Sequence, residues 1–194
     1  MPRRLLLIIL AAAAVLAGAA PLAAESLDTV TLPAHPQTVH LYSRRESGYP
    51  VIVSSGDGGW IHLGPHVAQF LASQGFFVVG FDARAYLESF TTHASTLQQS
   101  EEPGDYRTLI AYAARGTSRK PILIGVSEGA GLSVLAATDP VTKREIAGVL
   151  GLGLPDSNEL GWRWKDAVIY VTHGLPNEPQ FSAAAIASRV APVP

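Results

Sequence analysis

The sequence predicts an α/β domain: a mostly parallel sheet with helices on both faces. Two observations lead there. Short, continuous apolar runs alternate with helical patterns four times over, as units of strand, helix and parallel strand require. Two glycine-containing motifs, Ser55-Gly56-Asp57-Gly58-Gly59-Trp60 and Gly125-Val126-Ser127-Glu128-Gly129, each begin where one of those runs ends.

The first 24 residues read as an address rather than as part of the domain. Met1-Pro2-Arg3-Arg4 precedes an apolar run from Leu5 to Leu16, and small residues follow as far as Ala24. A basic start, a short apolar core and a small-residue end predict a Sec-type signal peptide cut after Ala24. The run is short for a membrane anchor, which needs about 20 apolar residues. The chain has no cysteine, which excludes a lipoprotein anchor and a disulfide framework. The expected product is a periplasmic protein spanning residues 25–194, large enough for one domain with its own core. Loss of Arg3 and Arg4 leaves 12 basic against 16 acidic residues, a formal charge of −4. That balance argues against nucleic acid as a partner and offers no basic stripe to an anionic membrane.

Leu27–Leu32 and Gln37–Tyr42 alternate apolar and polar residues around Pro33-Ala34-His35-Pro36, which predicts an antiparallel edge hairpin. Pro50–Ser54 is the first run with the continuous apolar character of a parallel strand. Pro65–Ser73 reads as a helix with proline in its first turn and Gly75 closing it. Phe76–Phe81 is the next strand, and 86–99 reads as a long connection over the site. A helix opens at Pro103-Gly104-Asp105 and closes at Gly116. The apolar run of Lys120-Pro121-Ile122-Leu123-Ile124, leading straight into Gly125, is the third parallel strand, followed after the turn by a small-residue helix, and Ile146–Leu152 is the fourth. An extra strand or hairpin is expected over Ala167–Thr172 and a helix over Phe181–Val190.

Gly-x-Ser-x-Gly between a buried strand and a helix is the nucleophile-elbow pattern, with Ser127 at the apex. Gly125 and Gly129 remove side chains that would clash as strand and helix close on each other. The helix N-terminus then favours a developing oxyanion. The glycines of Ser55–Trp60, Gly58 among them, let backbone amides point into a site after the first parallel strand, where a second oxyanion donor is expected. The loop lacks the Gly-Lys-Ser/Thr of a phosphate loop. This order, glycine loop then serine elbow, is the layout of the α/β-hydrolase fold. His62 and His66 are four residues apart, but Gly64-Pro65 places His62 before the helix, so no metal is expected. Nor is any cofactor. Asp82 either serves the site or caps the turn after its strand.

Ser55-Gly56-Asp57-Gly58-Gly59-Trp60, the strand end Val79-Gly80-Phe81-Asp82 and the Gly125–Gly129 elbow together resemble the VirJ/AcvB family of bacterial virulence proteins. The resemblance covers roughly residues 50–152. It implies an exported α/β-hydrolase acting in the periplasm on aminoacylated phosphatidylglycerol, with Ser127 as nucleophile and the backbone amides of Asp57 and Glu128 as oxyanion donors. Glu128 stands where that family usually has an apolar residue.

A serine nucleophile needs a base, and the base needs an orienting acid. After Ser127 only His173 could serve as base, with Asp139, Asp156 or Asp166 as acid. His173 leaves its expected strand too early for the base of this fold and reads as a structural histidine. Ala191-Pro192-Val193-Pro194 reads as the approach to a further parallel strand. The acid and base are therefore expected beyond Pro194, and the last strand present is expected to expose an apolar edge. The reading is a serine hydrolase of carboxylic esters. The alternative is a non-catalytic periplasmic binding or assembly factor on the same scaffold.

Overall fold

The computed structural model describes residues 25–33, 35–46, 48–164 and 178–194. The expected signal peptide and the strand expected over 167–172 lie outside the described residues, as do Asp166 and His173. Alternating residues pair β1 (Glu25–Thr31) with β2 (Pro36–Tyr42) as the antiparallel hairpin expected at the sheet edge. The parallel part follows in β3 (Tyr49–Ser54), β4 (Phe76–Phe81), β5 (Ile122–Val126) and β6 (Gly148–Leu152). The six strands lie in the order β1-β2-β4-β3-β5-β6, with β2 antiparallel to β4 and the last four mutually parallel.

Because successive side chains in a strand face opposite ways, the two faces bury separate cores. Val51, Val53 and Val78 pack with Ala68 and Ala72 of helix α1 (Leu63–Ser73) on one face. Ile52, Phe77 and Val79 pack on the other with helices α3 (Glu102–Ala113) and α4 (Glu128–Thr138). Burial on both sides is why these strands read as unbroken apolar runs.

Two sequence expectations are corrected. The segment expected as an open connection begins as helix α2 (Ala83–Phe90), with Asp82 as N-cap accepting the Ala85 N–H at 3.0 Å. Ala83, Tyr86 and Leu87 fall on one turn-spaced face and are buried, with Phe90 half-buried on the same face. Only residues 91–101 connect it to α3. The helix expected over 181–190 is divided. Phe181 belongs to β8 (Gln180–Phe181), which pairs with β7 (Asn158–Glu159). Ser182 then caps a single turn, Ala183–Ile186, that tightens into a 3-10 turn over Ala187–Val190.

The last strand, β6, forms an edge of the sheet among the described residues, with Leu150 half exposed. Its Val149 N–H donates to the Pro194 carbonyl at 2.9 Å.

Candidate active site

Ser127, Glu128 and the glycine loop gather where β3 and β5 end, beside the end of β4. β5 stops at Val126, and Ser127 adopts φ 50° and ψ −116° before α4 begins at Glu128. A β-carbon residue at positive φ costs on the order of 1–3 kcal/mol, so packing must impose it. That packing is close. A Cβ at Gly125 would lie 2.0 Å from the Gly129 carbonyl oxygen, and one at Gly129 would lie 2.2 Å from that of Ser55. The turn is pinned on its other side by Ser127 N–H, which donates to Leu152 of β6 at 2.8 Å.

The glycine loop meets the serine directly. A Cβ at Gly56 would be 3.3 Å from Ser127 Cβ and 3.9 Å from its Oγ, a tight contact that glycine relieves. Gly59 N–H closes the turn onto Gly56 at 3.0 Å, which leaves Gly58 at its exposed tip beside Ile61. Asp57 is half-buried and close enough to Glu128 for its charge to be felt there. The loop is gripped from β4 as well. Trp60 N–H donates to Asp82 Oδ2 at 3.1 Å, and Ala83 N–H donates to Ser55 Oγ at 3.1 Å. The Trp60 indole lies over Gly80, where a Cβ would be 2.2 Å away, stacks on His40 and donates to the Tyr42 hydroxyl.

Glu128 turns inward rather than to solvent. It is 6% exposed, and its Oε1 accepts the Glu159 N–H of β7 at 2.8 Å. Burial pushes its carboxyl up to about 8; the Glu159 N–H offsets part of this, while the Glu159 and Asp57 carboxylates add to it. β7 is seated on the start of α4, with Asn158 against Gly131. A second buried acid, Glu102 of α3, is fully enclosed and has no hydrogen-bond partner on either oxygen among the described residues. Burial first, then Asp105 and Asp139, raise its carboxyl well above the usual range. Close by, Tyr106 shares a hydrogen bond with Ser54, the residue before the glycine loop, and Tyr86 donates to Asp105 at 2.8 Å.

A cavity of about 1040 Å³ lies between 91–98 and 162–164, lined by Glu88, Thr91, His93, Trp162, Trp164 and Glu178 among others. Ser127 does not line it. Arg84 connects the two regions: its side chain reaches Gly59, and its guanidinium lies 3.8 Å from the Trp162 ring centroid.

Of the residues singled out in the sequence, Ser127, Glu128 and Asp57 therefore come together, with Gly58 just outside. Asp139 does not join them. It ends α4, accepts from Val141 and Thr142, and pairs with Arg107. Asp156 is exposed. His62 precedes α1 as its N-cap, and His66 sits exposed on that helix. Sequence reasoning missed Glu159, Asn158 and Glu102, whose roles depend on contacts between distant segments. Trp162-Arg163-Trp164 was a visible signal for the cavity wall.

No curated protein matches the chain. Among solved structures, the α/β hydrolase GrgF from Penicillium sp. sh18 superposes with a TM-score of 0.60 at 12% identity, covering 88% of this chain and 78% of that one. An esterase of Pyrococcus furiosus gives 0.54 at 15% identity, over 88% and 60%. A hypothetical protein of Pseudomonas aeruginosa gives 0.54 at 16%, over 71% of this chain; the chain spans only 44% of that protein. These likenesses establish the α/β-hydrolase fold. The family model described as bacterial virulence protein (VirJ) matches residues 49–160, more than half of the chain and a stretch that contains both glycine motifs. The chain thus belongs to the VirJ family of bacterial virulence proteins.

Proposed function

We propose that this protein is an exported serine hydrolase that cleaves carboxylic esters, with Ser127 as its nucleophile. One observation supports this above the others: Ser127 is held at φ 50° at the start of α4 with Gly56 against it. A carbonyl brought to Oγ would then meet backbone amides from two segments, those of Asp57 and Glu128. Oγ attacks the carbonyl carbon as its proton passes to a histidine base. The carbonyl oxygen becomes an oxyanion, stabilised by about 3 kcal/mol per amide donor. The tetrahedral species collapses, the alcohol leaves with the proton, and water repeats the sequence to release the acid and restore Ser127. Glu128 is uncharged below about pH 8, which keeps negative charge away from the oxyanion. Aminoacyl esters of phospholipids are the substrate class that family membership suggests.

A fluorophosphonate probe tests the nucleophile. Labelling of the full-length exported protein, lost in Ser127→Ala, is the expected result. A folded protein that takes no label would overturn the hydrolase reading in favour of a non-catalytic binding or assembly role. Export is tested by the mature N-terminus, expected at Glu25.

A further inference from the structure

We infer that Asp82 is a positioning residue that holds the glycine loop in the shape needed for oxyanion binding, and that its capping of α2 is the lesser of its two tasks. The inference rests on the serine-hydrolase reading for its kinetic consequence, but the contact itself stands on geometry. Asp82 is the first residue after β4, and its two carboxylate oxygens divide their work. Oδ1 accepts the Ala85 N–H at 3.0 Å, which any N-cap aspartate does. Oδ2 reaches back 22 residues to the Trp60 N–H at 3.1 Å, at the far end of the loop that begins against Ser127. Both oxygens also stand 3.4–3.5 Å from where a Cβ at Gly59 would be, so the carboxylate fills the space beneath that glycine, itself at φ 87°.

A loop of five residues with three glycines has no stiffness of its own, since glycine spreads widely over backbone space. It is fixed at its start by Ser55, whose N–H donates to Phe81 and whose Oγ accepts from Ala83. Between those ends the described bonds are short-range ones: Gly59 N–H donates to Gly56, Ile61 N–H to Gly59 at 2.8 Å, and Ser55 Oγ to the Gly56 carbonyl at 3.2 Å. The Asp82–Trp60 bond closes the span, and it comes from the same β4–α2 junction as the Ser55 bonds. The amide of Asp57 lies between the two anchors, so its direction is set by both. Donors aimed in advance at an oxyanion are what makes such a site effective. Releasing one anchor would leave Ser127 in place and misdirect the amide.

The test compares wild type with Asp82→Asn, in which one face of the side chain is an amide that cannot accept. Hydrolysis of p-nitrophenyl butyrate and the rate of fluorophosphonate labelling are read together with hydrogen–deuterium exchange of the peptide covering 55–62. The expected result is a 10- to 100-fold fall in kcat and labelling rate with KM within twofold, and exchange at 57–60 at least tenfold faster. Loss of the cap alone would lower the melting temperature and leave kcat, at a temperature where the protein is folded, unchanged. A folded Asp82→Asn with wild-type kcat, or with unchanged protection at 57–60, overturns the inference. If wild type neither hydrolyses nor labels, the hydrolase reading fails, and the exchange result alone decides whether Asp82 holds the loop. Should Asp82→Asn not fold, Asp82→Ser, which keeps a capping oxygen for α2 but is too short to bridge to Trp60 as well, is read by the same measurements against the same outcomes.

Discussion

Gly125 and Gly129 are the residues that let Ser127 stand where it does. With the Gly129 carbonyl only 2.0 Å from a Cβ at 125, Gly125→Ala has to push apart backbone on both sides. It is expected to cost about 3 kcal/mol or more, in the range of core overpacking, read as a fall in the urea midpoint. Glu128 gives the second prediction at this scale. As pH rises through about 8, ionisation of its buried carboxyl would add negative charge at the start of α4, next to the amide proposed to bind the oxyanion, so kcat/KM is expected to fall on that alkaline limb. Glu128→Gln still accepts the Glu159 N–H and should abolish the limb. A wild-type profile that stays flat through pH 9 would refute this role.

Among elements, α2 and the segment after it decide how the cavity is closed. Thr91 Oγ1 donates to Leu87 at 2.7 Å and accepts the Trp162 N–H at 3.0 Å, while Leu97 N–H donates to Leu160. These bonds join residues 91–97 to 160–162 across a wide gap in sequence. Thr91→Val keeps the volume and strips both bonds, which should cost about 1–3 kcal/mol for the part-buried N–H left without its partner. Thermal melts would show the loss, and unchanged stability would mean that the segment repacks. The same stretch explains what the sequence concealed. The glycine motifs and the four apolar strands were legible because local backbone constraints dictate their residue types. Helix α2 was not, because it has only two turns and Asp82 serves equally well as a strand end, a cap or a site residue. The burial of Glu128 was not legible either, since the β7 segment that covers it begins 30 residues later. Phe181 matched a helical pattern, but its pairing with β7 took precedence.

Over the whole molecule, the buried acids set an unusual response to pH. Burial raises Glu102, Asp105 and Glu128 alike in the folded state. Each binds a proton more tightly folded than unfolded, so stability is fully present below the unfolded carboxylate range and is lost as pH rises toward the folded values. For Glu128 the window runs from about 4.5 to about 8 and is worth on the order of 5 kcal/mol. Asp28 and Asp139 are lowered and act oppositely, adding stability that is lost only in stronger acid. Urea midpoints should therefore be higher near pH 5 than near pH 8, and Glu102→Gln should flatten the difference. A midpoint that rises over that interval would show these acids to be ionised in the folded protein.

Trp60 and Gly80 have a consequence for how such a sequence can change. The indole occupies the space that any side chain at 80 would need, with the nearest ring atom 2.2 Å from the missing Cβ. Substitutions at the two positions are therefore ordered in time. Gly80→Ala made first meets a ring it cannot displace, whereas after Trp60→Leu the same methyl group fills a void. One change is harmful or helpful according to which came before. A lineage that departs from this pair has to pass through the loss of the tryptophan, and with it through a loosened glycine loop.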